Sequence, residues 1–364
     1  MKSFVLCCLR LRALGVSGIR KVCKTVPAKV SKELPNHRMR LLPCFLVLAA
    51  ALSHAQVPKP PWAGGASPAK PAPSDATPSS QAPETTFKVN VKLVNVFVTV
   101  TDENGAPVAD LKKENFQELE DGKPQTNSVF DRESALPLSI VLDVDTSLST
   151  RKDLPLELSA ARRFAHAILR PVDGLCLYEF SEVVNEIVPF TADLKMIDRG
   201  IEQVRPGAAT ALYDALYLGA QALESRQGRK VIVVITDGGD TVSRVDYKAA
   251  LRAAQEAEAL VYSIIVVPIE ASAGRDTGGE HALIQLSEDT GGKYFYATSV
   301  PDLSDAFQKI SDELRTQYLL AYYPSQRFSD SSFRRITVKV DAPAMDGKFV
   351  VRHRTGYYTT RSHF

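Results

Sequence analysis

The sequence predicts an α/β fold, a doubly wound and mostly parallel sheet flanked by β-rich segments that form a β-sandwich-like module. Between residues 137 and 315, short apolar runs alternate with amphipathic helical segments. This alternation is typical of a parallel sheet that is covered by helices on both faces. On either side of this region, β-branched and aromatic residues alternate with polar ones between turn signals, which indicates antiparallel strands.

The central region contains five strand-like and five helical segments. The strand predictions are 138–144, 230–236, 260–267 and 293–298 with a strand pair at 174–190, and the helix predictions are 156–169, 211–225, 247–259, 281–292 and 302–314. In the first helix, Ala161, Phe164, Ala165 and Ile168 share one face. Ligands of such folds bind at the carboxyl ends of the strands. The polar residues that directly follow apolar strands are therefore the candidates for a site.

The two flanks are predicted to consist of short strands. A strand of about a dozen residues begins at Phe87, and the turns at Asn104-Gly105 and Asp121-Gly122 separate it from two more. The other end of the chain adds strand-like runs at 317–325, 333–343 and 348–360. We expect the two ends to complete one β-sandwich-like module; the alternative is two separate small sheets.

The first 85 residues are predicted to be an export segment and a tether. A basic start and an apolar run lead from Met39 to the small residues Ser53 and Ala55, a pattern that predicts export and cleavage after Ala55. The run is shorter than the roughly 20 residues that span a bilayer, so membrane contact is expected only through export. The simplest account of residues 1–38 is a start assigned upstream of a true start at Met39. The following stretch is rich in Pro, Ala and Ser and indicates an extended linker.

The chain is thus divided into five segments. They are the export region 1–55, the linker 56–85, an N-terminal β segment 86–135, an α/β domain 136–315 and a C-terminal β segment 316–364.

Charge and cysteine content exclude several classes of function. Residues 1–55 hold ten Lys and Arg against the single acid Glu33, so the remainder carries −7 of the total charge of +2. A mildly acidic protein is not expected to bind nucleic acid. Four of the five cysteines lie in the export region, so the mature protein is expected to have no internal disulfide and one buried thiol, Cys176.

Acids and hydroxyls stand at three places, two of them directly after apolar segments and one directly before a helix. Asp143 and Asp145 end the first strand, Asp237 and Asp240 follow the run at 230–236, and Thr210 precedes a helix. Oxygen ligands suit Mg²⁺, Mn²⁺ or Ca²⁺, whereas the scattered histidines give no support for zinc.

These residues allow two different sites. In the first, Asp145, Ser147, Ser149, Thr210 and Asp237 bind a divalent ion, and a partner's acidic side chain fills an open coordination position.

The second site is that of a metal-dependent phosphatase. Asp143 and Asp145 would be its Asp-x-Asp pair, with Thr236, Lys230 and Asp240 in support. Its weakness is Lys230, because seven strand residues place it roughly 20 Å from Thr236, at the opposite edge of the sheet.

Three segments carry a resemblance to a known family. The stretch from Asp145 to Ser149, GAATALYDAL around Thr210, and VIVVITDGGD around Asp237 resemble the metal-ion-dependent adhesion site (MIDAS) of von Willebrand factor type A (VWA) domains, which have a Rossmann-like fold. The resemblance covers residues 136–315. The flanks resemble those of a bacterial, chiefly acidobacterial, VWA-related family. Leu148 departs from the pattern, since many members have glycine there.

The resemblance implies a role for each of the five residues. Ser147, Ser149 and Thr210 would ligate Mg²⁺, Mn²⁺ or Ca²⁺, and Asp145 and Asp237 would act directly or through water. We therefore expect an exported, periplasmic or extracellular protein that binds a partner protein through the ion. We expect it to have no small-molecule cofactor and no enzymatic activity. The phosphatase and a metal-free scaffold are the alternatives.

Overall fold

The computed structural model describes residues 93–132, 135–150, 152–267, 276–326, 332–342 and 348–359, all of which fall in one structural unit, residues 83–364. The predicted export region and linker lie outside the described residues. Within the described ranges, none of the helices combines the length and the apolar character that crossing a membrane requires.

Fourteen strands and six α-helices make up the described part of the chain. The strands are β1 Val94–Thr101, β2 Phe116–Glu120, β3 Lys123–Pro124, β4 Asn127–Arg132, β5 Leu138–Asp145, β6 Gly174–Phe180, β7 Val184–Thr191, β8 Arg229–Thr236, β9 Ala259–Val266, β10 Lys293–Ala297, β11 Tyr318–Tyr322, β12 Phe333–Val340, β13 Val350–Arg352 and β14 Gly356–Tyr358. The helices are α1 Leu154–Ile168, α2 Leu194–Ile201, α3 Leu212–Glu224, α4 Tyr247–Glu256, α5 Thr277–Thr290 and α6 Val300–Thr316.

A six-stranded sheet forms the centre, in the order β10-β9-β8-β5-β6-β7. All neighbours pair in parallel except β6 and β7. Helices α1, α2 and α6 pack on one face and α3, α4 and α5 on the other. This arrangement confirms the predicted doubly wound, mostly parallel sheet. It also explains the continuous apolar runs, since β5, β8 and β9 are covered on both faces.

The predicted helices are present, with one addition. The expected stripe on α1 is buried, and α5 ends at Gly291, whose φ of 84° is the left-handed value of a glycine C-cap. Helix α2 was not predicted. It has only eight residues, and its position depends on burying Ile197 and Ile201 against the sheet, a long-range contact that the local sequence does not reveal.

The flanks form two four-stranded antiparallel sheets, in the orders β13-β1-β11-β4 and β14-β12-β2-β3. Each sheet combines strands from both ends of the chain. The facing sides share one core that includes Val96, Phe116, Leu320 and Val338. The predicted β-sandwich is therefore confirmed, and the alternative of two separate small sheets is not. The part of the predicted first strand at residues 87–92 lies outside the described residues.

Candidate functional site

Three loops at the carboxyl edge of the central sheet are bonded to one another through their backbones. The first loop is residues 146–150, the second 205–211 and the third 237–243. Gly207 N donates to Thr146 O at 2.7 Å, and Thr241 N donates to Thr210 O at 2.8 Å. The second loop, between α2 and α3, thus bonds to both the first and the third loop, which follow the adjacent parallel strands β5 and β8.

Asp145, at the end of β5, is held by two hydrogen bonds. Its Oδ1 accepts from Ser147 N at 2.8 Å, and its Oδ2 accepts from Thr236 Oγ1 at 2.6 Å. The side chain is fully buried. Burial raises the pKa of Asp145 to about 6, the bonds from Thr236 and Ser147 oppose the shift, and the charge of Asp237 adds to it. The negative charge of Asp237 therefore acts on the carboxyl group of Asp145 and disfavours its ionised form.

The hydroxyl groups of Ser147 and Ser149 form a pair beside a cavity. Ser147 Oγ and Ser149 Oγ are 3.0 Å apart, and Ser147 is buried. Ser149, Thr210 and Asp237 line a cavity of about 860 Å³. Three of the five predicted residues thus line one cavity, and Asp145 and Ser147 connect to them through the bonds from Ser147 N to Asp145 and between the two serine hydroxyls.

The simpler explanation, that these residues cap helices, does not fit the structure. The N-cap of α1 is Asp153 and the N-cap of α3 is Ala211, and neither helix has a side-chain cap bond there. Thr210 instead bonds the third loop through its backbone. The hydroxyls of Ser149 and Thr210 are therefore placed at the cavity rather than used by a helix end.

The donor set fits a hard divalent ion. Within the described ranges, no group of three or more His, Cys, Asp and Glu side chains is arranged to hold a metal. An ion here would depend on two carboxylates, Asp145 and Asp237, together with the hydroxyls of Ser147, Ser149 and Thr210. Carboxylate and hydroxyl oxygens suit Mg²⁺, Mn²⁺ or Ca²⁺, and an ion would offset the mutual repulsion of the two acids.

Of the residues of the predicted phosphatase site, Asp145 and Thr236 are joined by a hydrogen bond of 2.6 Å, but Asp143 and Lys230 do not join them. Asp143 is fully buried on the α3 face of the sheet and neither carboxylate oxygen has a hydrogen-bond partner. Lys230 pairs in register with Ser139 and Ala259 at the amino ends of the strands. Asp240 accepts from Ser243 Oγ and from Tyr213 N. This geometry leaves Asp143 without access to a substrate.

Sequence reasoning missed four acids that line the cavity, namely Asp153, Glu157, Asp276 and Glu280, and Glu157 differs from the rest in its surroundings. Glu157 lies in the first turn of α1, lines the cavity and is 1% exposed, and neither of its carboxylate oxygens has a hydrogen-bond partner. Burial, followed by the charges of Asp145, Asp153 and Asp237, raises its pKa well above the usual range. A signal was available, because Glu157 shares the apolar stripe of Ala161, Phe164 and Ile168.

A comparison with family models decides the family of this region. Residues 140–239 match the von Willebrand factor type A domain, and this range contains all five predicted ligands. The chain contains a VWA domain. The relation to acidobacterial proteins stays a prediction.

Solved structures similar to the chain include other VWA domains. BatB from Bacteroides thetaiotaomicron is 21% identical, with 48% of this chain and 98% of that chain covered and a TM-score of 0.40. The vWF domain of the type V pili tip protein Mfa5 from Porphyromonas gingivalis is 13% identical, with 48% and 94% covered and a TM-score of 0.39. The von Willebrand factor type A protein from Catenulispora acidiphila is 11% identical, with 76% of each chain covered and a TM-score of 0.43. No curated protein matches the chain.

Proposed function

We propose that this chain is an exported module that binds a partner protein through a divalent ion in its VWA domain, without catalytic turnover. The ion, Mg²⁺ or a similar hard cation, would be held by Asp145, Ser147, Ser149, Thr210 and Asp237. An acidic side chain of the partner would complete its coordination. The protein would act in the periplasm or outside the cell.

The observation that carries the proposal is the position of the hydroxyls. Ser149 and Thr210 line the cavity together with Asp237, and the Ser147 hydroxyl lies 3.0 Å from that of Ser149. Neutral hydroxyls position an ion without quenching its charge. Two carboxylates balance the charge of a divalent ion formally, and a partner carboxylate that enters the cavity would complete the coordination of the ion.

The positions of Asp143 and Lys230 do not support the phosphatase alternative. A nucleophilic Asp143 would have to leave a fully buried position, and the Lys230 side chain begins at the opposite edge of the sheet. The alternative of a metal-free scaffold differs from the proposal in one measurable way. A scaffold would bind its partner equally well in chelator.

Titration with Mn²⁺, followed by electron paramagnetic resonance, tests the metal site. We expect Thr210→Ala to lose binding and Asp143→Asn to retain it, because only Thr210 lines the cavity. Thr316→Ala, at the far end of α6, is a control for loss of a threonine hydroxyl. Unchanged Mn²⁺ binding in Thr210→Ala, or loss in Asp143→Asn alone, would contradict the proposal.

A pull-down assay with the purified protein tests the role of the ion in binding. Partner binding should be lost in chelator, return with Mg²⁺ and fail to return in Thr210→Ala. Binding that persists in chelator and in the variant would identify a metal-free scaffold instead.

A further inference from the structure

The cavity is more acidic than a divalent ion requires. Among the described residues that line it are five acids and one base, namely Asp153, Glu157, Asp237, Asp276, Glu280 and Lys152. With the buried Asp145, these acids number six among the described residues, against the ammonium of Lys152 and one divalent ion. With every acid ionised, these residues and the ion carry a formal excess of three negative charges. A partner that offered only a carboxylate would meet net repulsion on its way to the ion.

Among the acids that line the cavity, Glu157 combines burial with a lack of hydrogen-bond partners. Asp276 accepts from Gly278 N and Gly279 N at the start of α5, and Glu280 accepts from Tyr296 OH. Glu157 is almost fully buried, and both of its oxygens lack hydrogen-bond partners. A buried carboxylate without a partner is unfavourable by several kcal/mol in most proteins. Unlike Asp143, Glu157 lines a cavity, so a ligand in that cavity can supply the missing partner.

Apolar side chains form part of the lining of the same cavity. Leu156 and Leu148 line the cavity and are exposed by 45% and 58%, and Val300 and Leu303 of α6 line it as well. Exposed leucines beside a buried carboxylate suit a side chain with an aliphatic stem and a cationic end, which is the design of arginine and lysine. The volume of about 860 Å³ is also that of a site for a ligand larger than a single carboxylate.

We propose that the cavity binds a partner segment that carries a basic side chain beside its acidic one, with Glu157 as the carboxylate that receives the basic group. This inference rests on the proposed function, since it names the chemistry of the partner. The acid reaches the ion, the base reaches Glu157, and the stem of the base packs on Leu156 and Leu148. The paired charges of the segment remove the repulsion that a lone acid would meet.

The basic half of this proposal can be tested without a metal. The probes are n-butylguanidinium and its neutral isostere n-butylurea, measured by calorimetry in chelator at fixed ionic strength. We expect n-butylguanidinium to bind about ten- to hundredfold more tightly than n-butylurea, as for hydrogen bonds to a charged group. Glu157→Gln should abolish this preference.

Glu118→Gln is a matched control variant. Glu118 is 2% exposed and its Oε1 has no hydrogen-bond partner, but it belongs to β2 of the sandwich and does not line the cavity. It should leave the preference for guanidinium unchanged. Equal affinity for both probes, no binding of either, or an unchanged preference in Glu157→Gln would overturn the proposal.

The Mn²⁺ titration separates this proposal from the proposed function. If Mn²⁺ does not bind but the guanidinium preference is present and depends on Glu157, the ion-mediated function fails and the cationic subsite stands. If Glu157→Gln weakens Mn²⁺ binding and no guanidinium preference exists, Glu157 supports the metal and the subsite is refuted.

Peptides test the acidic and basic groups together in Mg²⁺. Acetylated peptides with one Asp and one Arg, separated by zero to three glycines, are each paired with a version in which citrulline replaces Arg. At least one Arg peptide should bind about tenfold more tightly than its citrulline partner. Equal binding within every pair would refute the role of the basic side chain.

Discussion

Thr236 Oγ1 donates a hydrogen bond of 2.6 Å to Asp145 Oδ2 and, through the same oxygen, accepts one of 3.1 Å from Gly238 N. The hydroxyl therefore joins the carboxyl ends of β5 and β8, two adjacent parallel strands. It aligns Asp145, at the end of β5, with the loop that carries Asp237. A threonine outside the proposed ligand set thus positions two of its members.

Thr236→Val should lower both metal affinity and stability. The change removes a donor to a buried carboxylate, so the free energy of unfolding should fall by about 1–3 kcal/mol. Mn²⁺ affinity should fall by about tenfold, the usual effect of removing a group that orients a ligand. Urea unfolding and Mn²⁺ titration measure the two effects. Thr236→Ser retains the hydroxyl and is the control; equal losses in both variants would contradict a role for the hydrogen bond.

Mn²⁺ binding should weaken as the pH falls through about 6. The pKa of Asp145 is raised to about 6 in the metal-free fold, and a protonated carboxyl is a poor ligand. Mn²⁺ titrations between pH 5 and 8 measure the effect. Asp145→Asn should bind weakly at every pH, and a wild-type affinity that is flat across pH 6 would contradict the assignment.

The same group should make the metal-free protein less stable at higher pH. Because the folded pKa of Asp145 exceeds the unfolded one, the fold binds the proton more tightly. The contribution to stability is therefore fully present below the unfolded pKa of about 4 and is lost as the pH rises through about 6. The difference in unfolding free energy between wild type and Asp145→Asn in chelator isolates this contribution. A difference that favours the wild type more at higher pH would have the wrong sign.

Asp143→Leu should stabilise the protein at neutral pH. The carboxyl of Asp143 is fully buried, has no hydrogen-bond partner, and burial raises its pKa well above the usual range. An apolar side chain of similar shape should raise the free energy of unfolding by about 1–3 kcal/mol. Chemical denaturation at pH 7.5 measures this gain. Lower stability, or a change in Mn²⁺ affinity, would show that Asp143 has a role in the site.

Tyr322→Phe should destabilise the sandwich. Tyr322 OH in one sheet donates to Glu120 Oε2 in the other at 2.9 Å, and Tyr357 OH donates to the same oxygen at 2.8 Å. Removing one hydroxyl from this buried group should cost about 1–3 kcal/mol in urea unfolding. The neighbouring Tyr323 is 56% exposed, so Tyr323→Phe should change little. Equal effects of the two changes would show that the buried hydroxyl contributes nothing specific.

Several elements of the fold could be predicted because their signals are local. The continuous apolar runs of β5, β8 and β9 predict strands buried on both faces, and the stripe on α1 predicts its buried side. The five polar residues of the site follow strands or precede a helix. Their convergence could be expected because carboxyl ends of parallel strands meet at one edge. Helix α2 could not be predicted, since only its contacts with the sheet hold it.

The sequence by itself determined most of the strands and helices, and which polar residues stand at their ends, because these features depend on neighbours a few positions apart. Only the tertiary structure decided the features that depend on contacts between residues far apart in the sequence. Glu120 and Tyr322, 202 positions apart, meet in the sandwich core. Asp143 is enclosed beside α3, whereas Asp145, two residues later, accepts a hydrogen bond from Thr236 Oγ1. Glu157 gains its buried, unpaired position only when α1 packs over the sheet, since burial and charge are set by groups distant in the chain.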